Sequence, residues 1–335
     1  MSEISEILSL VFNFIVNIFI EIIAIFIMLF YAIKNLIKNN KMGKVNVDVN
    51  KKIKYKKLIN DNKKLKTLFI VNIIILIIIF FLLILFILKL FTEERFLYFA
   101  ILFIMIVICV INYYFSNKIF KEEIIVKILD EISPDLFYNH NKGISEKDYR
   151  FADFEKYDIF KSEDLISGKI LNNSFSISDV LTYKIENVYK HRGHYRKKVF
   201  SGVVAKVDLK RDIQTFIYII NNKIRLFDNK YKITIDNESF NKRYDVYSDN
   251  EILTMRILTP AVTSLILDME TKTKIPFELK IYKNVIYFRF YTKNLFNLGL
   301  TVNSNAKSLA YSLEIINCIQ TIMQELLQVI SDVEE

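Results

Sequence analysis

His191 and His194 stand in "KHRGHYRKK", where two imidazoles close together in the chain raise the question of a metal ion. Zinc would need at least one further ligand. His140 is remote in sequence and no cysteine lies near, so no metal site is assigned. With Gly193 supplying a turn between two strand-like runs, the motif reads as a solvated basic hairpin tip. His191, Arg192, His194, Arg196, Lys197 and Lys198 would there present donors and charge to membrane phosphates or an acidic partner. A second group is Ser9, Asn13, Asn17 and Glu21, polar at four-residue steps inside an otherwise apolar run. Each step advances about 40° around a helix, so the four form one slowly drifting stripe. A carboxylate within a span costs about 2.5–3.5 kcal/mol in lipid. The stripe therefore faces protein, or lines an ion or proton path in an oligomer. A third group, Glu163-Asp164, is adjacent in sequence, which points the two carboxylates apart on a strand and favours a capping or turn role over paired acid/base work.

Recognisable catalytic signatures do not occur. There is no G-x-S-x-G, H-E-x-x-H, P-loop or G-x-G-x-x-G, and only six glycines in 335 residues. The expectation is a non-enzymatic protein without a cofactor. Cys109 lies in an apolar run and Cys318 in a helical pattern, which is neither a disulfide framework nor a metal cluster.

The elements that would position these groups begin with three apolar runs, in a chain that is 52% hydrophobic. They cover 8–33, 68–88 and 96–115, each near the roughly 20 residues that a bilayer demands. The first starts with acidic residues and lacks a small-residue cleavage site, unlike a signal peptide. The second and third, joined by "KLFTEER", form a transmembrane hairpin. The expected organisation is a first transmembrane helix at 1–33, a basic linker at 34–66, the hairpin at 67–116 and an α+β domain at 117–335.

Between Lys34 and Lys66 there are 12 lysines against Asp48 and Asp61, a local charge of +10, whereas the whole chain is +9. The basic excess is therefore one segment, not a folded face, which argues against nucleic-acid binding. Lysine-rich segments near span ends stay in the cytoplasm, so the linker and the domain after the hairpin are expected there, at the plasma membrane. Lys51, Lys52, Lys54, Lys56, Lys57, Lys63, Lys64 and Lys66 are candidate contacts to anionic lipid.

Beyond the hairpin, Ile119, Phe120, Ile124, Ile128, Leu129 and Ile132 recur at helical spacing until Pro134. Strand-like runs follow: "LISGKIL", "DVLTYKIENVY", "VFSGVVAKVDL", "TFIYII", "YKITID" and "FNKRYDVYS". Two short helices, the first N-capped by Asp249 and the second opened by Pro260, precede a hairpin turning at Lys283-Asn284. A helix of about 25 residues from Asn305 closes an antiparallel sheet domain with flanking helices.

The segments "EDLISGKILNNSFSISDVLTYKIE", "FSGVVAKVDLKR", "SFNKRYDVYSDNEILTMRILTPAVTSLILDM" and "VIYFRFYTKNLF" resemble bacterial membrane proteins of domain of unknown function 3137. The resemblance rests on Glu163-Asp164 before Gly168, on Phe200-Ser201-Gly202, and on the Phe240 to Pro260 block. It implies a membrane hairpin before the domain and no activity. The leading expectation is a membrane-anchored scaffold that binds another protein or itself. A transport or channel component using the polar stripe, and an enzyme without a known motif, are the alternatives.

Overall fold

The computed structural model describes residues 49–88, 95–188, 193–222, 231–292, 294–299 and 301–334. The first apolar run and its stripe of Ser9, Asn13, Asn17 and Glu21 lie outside them, as does most of the hairpin loop. The described chain opens with α1 (Val49–Asp61), α2 (Lys63–Leu88) and α3 (Arg95–Ile119). A π-helical turn (Phe120–Ile125) and α4 (Val126–Ile132) continue α3 without a break. Among the described residues two helices are thus long and apolar enough to cross a membrane, Lys63–Phe86 and Leu97–Ile132. They hold their apolar side chains outward, with Phe80 62%, Phe103 59% and Val110 63% exposed. Between them is a polar clasp. The Asn112 side-chain amide donates to Asn72 Oδ1 at 3.0 Å and to the Leu68 carbonyl at 3.3 Å, both amides being buried. Two amides that satisfy each other avoid the cost of an unpaired polar group among apolar neighbours.

The rest is one nine-stranded antiparallel sheet: β1 (Phe137–Asn139), β2 (Ile159–Ile170), β3 (Asn173–Val188), β4 (Gly193–Asp208), β5 (Phe216–Asn221), β6 (Lys232–Ile233), β7 (Tyr244–Ser248), β8 (Phe277–Tyr282) and β9 (Val285–Phe290). Their spatial order is β1-β2-β3-β4-β9-β8-β5-β7-β6. Helices α5 (Glu146–Ala152), α6 (Glu238–Asn241), α7 (Glu251–Ile257), α8 (Pro260–Thr273) and α9 (Val302–Glu334) complete the domain.

Register explains the two sides of the sheet. Val203–Phe290–Phe277, Ala205–Phe288–Leu279–Ile219 and Val207–Ile286–Ile281–Ile217 are rungs on one side, all buried and all apolar. The next rungs over, on the opposite side, read Val204–Arg289–Glu278–Ile220–Asp245 and Lys206–Tyr287–Lys280–Tyr218–Tyr247. That polar side is covered by α5, with the Tyr287 hydroxyl donating to the Asp148 carbonyl and Lys280 to the Ala152 carbonyl. A period-two pattern with one oily face is what an antiparallel sheet with helices on that face requires.

Several local expectations are corrected. Asn250, not Asp249, caps α7 by accepting from the Leu253 amide, while Asp249 accepts from the Phe216 amide across the sheet. "FNKRYDVYS" is a strand only over β7, because Asn237 caps a short helix that takes up Phe240 and Asn241. "YKITID" pairs only at Lys232 and Ile233. The final helix starts at Val302 and runs 33 residues, since the Thr301–Ser304 turn opens it before Asn305. Pro260 does stand in the first turn of α8, with Thr259 as its cap, and the β8–β9 turn does fall at Lys283-Asn284.

Gly202 fits because it has no side chain: a Cβ there would lie 1.8 Å from the Phe290 carbonyl oxygen. Gly202→Ala is expected to destabilise the sheet by about 3 kcal/mol. Thermal unfolding of the detergent-solubilised chain, followed by circular dichroism, measures the loss. An unchanged midpoint would contradict the close approach of β4 and β9.

Candidate membrane-proximal site

The basic segment is helical from Val49 onward, where the sequence offered a charge count alone. Tyr55 and Ile59 are buried on the inner side of α1, which lies along α9. Helix geometry then sorts the lysines. Lys51 reaches Glu314 at 3.4 Å, Lys54 reaches Glu131 at 2.7 Å and Lys64 stands 3.8 Å from Glu123. Lys56, Lys57, Lys63 and Lys66 are exposed and Lys52 is half-buried; none of the five makes an ion pair among the described residues. Asn62, between α1 and α2, caps α2 by accepting from the Leu65 amide, and its own amide donates to Glu123 at 2.7 Å.

Directly beneath is the joint between the long helix and the sheet. The wide π turn brings neighbouring residues Phe120 and Lys121, then Ile124 and Ile125, to the buried side. Lys121 donates to both Asp164 oxygens at 2.7 Å, and the Tyr138 hydroxyl donates to the same carboxylate. Asp164 sits in a β-bulge of β2 with φ 58°, a conformation that Asp tolerates better than most residues. The bulge splits the Glu163-Asp164 pair. Asp164 is buried as an ion-pair partner, not in a capping role, while Glu163 is exposed and accepts from the Asn294 side chain at 2.9 Å. Asp179, also buried, accepts from the Leu295 amide at 2.8 and 3.0 Å. Burial pushes the Asp179 carboxyl well above the ordinary carboxylate range, and the Asp164 charge adds to the effect.

A second charged cluster lies within the polar side of the sheet. Arg289 donates to both Glu278 oxygens at 2.7 and 2.8 Å, to Tyr149 and Tyr291, and pairs with Glu155. Its guanidinium stands 4.3 Å from the Phe154 ring centre and 4.8 Å from that of Phe200. Tyr218 and Tyr291 both donate to Glu278, whose burial raises its pKa. Arg289, Tyr218 and Tyr291 together fill the lone pairs of both Glu278 oxygens. Beside it, Arg150, Phe151, Asp153, Phe216, Tyr218, Lys280 and Tyr282 line an open groove of about 490 Å³. No sequence signal marked Lys280 or Lys121, whose partners are far along the chain, whereas Glu278 and Arg289 face each other across the predicted hairpin turn at Lys283-Asn284 and went unread because charged residues within strand patterns read as solvated.

The basic hairpin tip is only partly described. β3 and β4 pair out to Val188 and Gly193, with His194 opposite Asn187; His191, Arg192 and the His194 side chain lie outside the described residues. Arg196 and Lys198 are exposed, and Lys197 answers Glu186 across the hairpin at 3.0 Å. His140 stands 4.0 Å from Glu122.

Residues 198–334 match the model of a family described as protein of unknown function (DUF3137). The match includes Phe200-Ser201-Gly202 and the Phe240 to Pro260 block; Glu163-Asp164 and the hairpin helices precede it. Among solved structures, the chain is similar to the mycobacterial trehalose monomycolate transport factor A, TtfA, at a TM-score of 0.31 and 10% identity, over 58% of this chain and 89% of that one. No curated protein matches the sequence.

Two outcomes are expected from the joint. Lys121→Met leaves Asp164 buried without its cation and costs about 3 kcal/mol, and adding Asp164→Asn recovers much of the loss. A thermal-unfolding double-mutant cycle measures this, and additive losses would speak against the pair. For Asp179 the folded-state pKa is raised, so its contribution to stability is full below about pH 4 and is lost as pH rises through the folded value. Asp179→Asn, which keeps an acceptor for Leu295, is therefore expected to stabilise the protein more at pH 8 than at pH 5. Melting curves across that range decide it.

Proposed function

We propose, from the premise that residues 198–334 belong to the DUF3137 family, that this chain is a non-enzymatic integral membrane protein. Its basic helix α1 rests on an anionic cytoplasmic leaflet, and its sheet domain is held there as a docking platform for a protein partner. One observation carries the reading: Lys52, Lys56 and Lys57 in α1, and Lys63 and Lys66 at the start of a helix apolar enough to cross a membrane, have no acidic partner among the described residues. Lysines so placed keep their side of the membrane inside and attract anionic lipid, each contributing about 1 kcal/mol near the surface. The open groove around Lys280 is the surface a partner would meet. A non-catalytic role is supported by Asp164, Asp179 and Glu278, buried acids each engaged by structural partners.

The test is amide hydrogen exchange over 49–66 in the full chain reconstituted into nanodiscs with and without phosphatidylglycerol. Slower exchange with the anionic lipid is expected, and Lys52, Lys56, Lys57 and Lys63 changed together to Gln should abolish the difference. Equal exchange in the two lipids for the unaltered chain would overturn the reading.

A further inference from the structure

α2 carries a crevice that the basic surface alone does not account for. Phe69, Asn72, Ile73, Leu76, Ile77 and Phe80 form one wall, with Tyr113, Gly299 and Thr301 closing a space of about 370 Å³. The α2 residues advance by three and four, so they lie along one stripe of the helix. Extended one turn toward the helix start, the same stripe reaches Lys66, exposed and without an acidic partner among the described residues. A cation thus heads a channel that is otherwise oily.

Polar groups at its wall bond within the protein. Asn72 accepts from Asn112, the Tyr113 hydroxyl donates to the Leu298 carbonyl at 3.1 Å, and the Thr301 hydroxyl is 3.0 Å from Ser304. An apolar space of this kind does not hold water, which needs several polar partners. What enters must carry hydrocarbon where it is buried and negative charge where it meets Lys66. A second copy of α2 suits the stripe poorly, because close helix contacts in lipid favour small residues and this wall is Phe, Ile and Leu. Ile77, 51% exposed, and Phe80 open it sideways, where the bilayer would lie.

We propose that this crevice holds one acyl chain of an anionic phospholipid whose headgroup sits at Lys66. The proposal rests on the membrane reading above and narrows it from a diffuse basic surface to one lipid position.

The experiment uses the full chain purified in mild detergent, with native mass spectrometry after incubation with phosphatidylglycerol or with phosphatidylcholine of the same chains. One retained phosphatidylglycerol per chain is expected, preferred over phosphatidylcholine by about fivefold, the share of one lysine. Lys66→Gln should equalise the two lipids without abolishing retention. Ile73→Trp, which fills the crevice, should abolish retention of both. The same Ile73→Trp chain should keep its anionic-lipid protection over 49–66, which separates this proposal from the broader one. Equal retention of the two lipids by the unaltered chain, unchanged retention by Ile73→Trp, or a lipid-free dimer would overturn it. If Ile73→Trp proves unfolded by circular dichroism, Ile77→Phe serves as the filling variant and retention must fall at least in part.

Discussion

A buried ammonium on two carboxylate oxygens, Lys121 on Asp164, is the constraint through which the sheet domain depends on the long helix. Desolvating both ions is expensive, and the pair is tolerable only with good geometry and with its remaining lone pairs filled. Each local departure from regular structure serves that end. The π turn brings Lys121 inward, the β-bulge turns Asp164 toward it, and β1 supplies the Tyr138 hydroxyl. Asp179 then ties the same region to the approach of α9 through the Leu295 amide, and the Ser312 hydroxyl donates to the Leu295 carbonyl. Helix, sheet and final helix therefore meet around two buried acids, Asp164 and Asp179, and one lysine.

The same economy governs the sheet. Its apolar side needs only covering helices, but the polar side holds a buried Arg289 that no water can reach easily. Glu278 and Glu155 balance its charge, and Phe154 and Phe200 face its guanidinium. Arginine suits such a place better than lysine, since its planar fork answers two oxygens at once while its faces lie against rings. α5 is held by this cluster through Tyr149 and by Lys280 through the Ala152 carbonyl. A short helix is thus fixed by charges on distant strands.

The fold class was legible from periodicity, because apolar alternation over the 200–208 and 285–290 stretches leaves little choice but paired strands. The two membrane-type helices followed from run length alone, and the hairpin turn at Lys283-Asn284 from two polar residues between strands. Caps and short helices were legible only in type: Asp249 and Asn250 are chemically alike, and which one caps α7 depends on the hydrogen bond that the Phe216 amide donates to Asp249. The joint was illegible for a different reason. Lys121 and Asp164 are ordinary residues in an amphipathic helix and a strand, 43 positions apart, and only tertiary structure brings them together. The 49–61 helix was hidden by its lysines, which read as a charged linker until Tyr55 and Ile59 acquire a partner in α9.

That hidden helix changes what the basic charge means. A local charge of +10 describes a segment, but a helix has sides: two of its lysines, Lys51 and Lys54, answer Glu314 and Glu131, and Lys64 at the start of α2 answers Glu123. Exposed pairs of this kind add little stability each, so their main consequence is orientation. They turn the buried side of α1 toward α9 and α4, leaving the unpaired lysines on the remaining surface. Asn62 reinforces that choice by capping α2 and bonding Glu123 at the point where α1 gives way to the apolar helix. A segment that bound its own domain with every lysine would have none for a lipid surface, and one that bound with none would have no fixed direction to present them. The division between the two sets gives the proposed membrane contact a defined geometry.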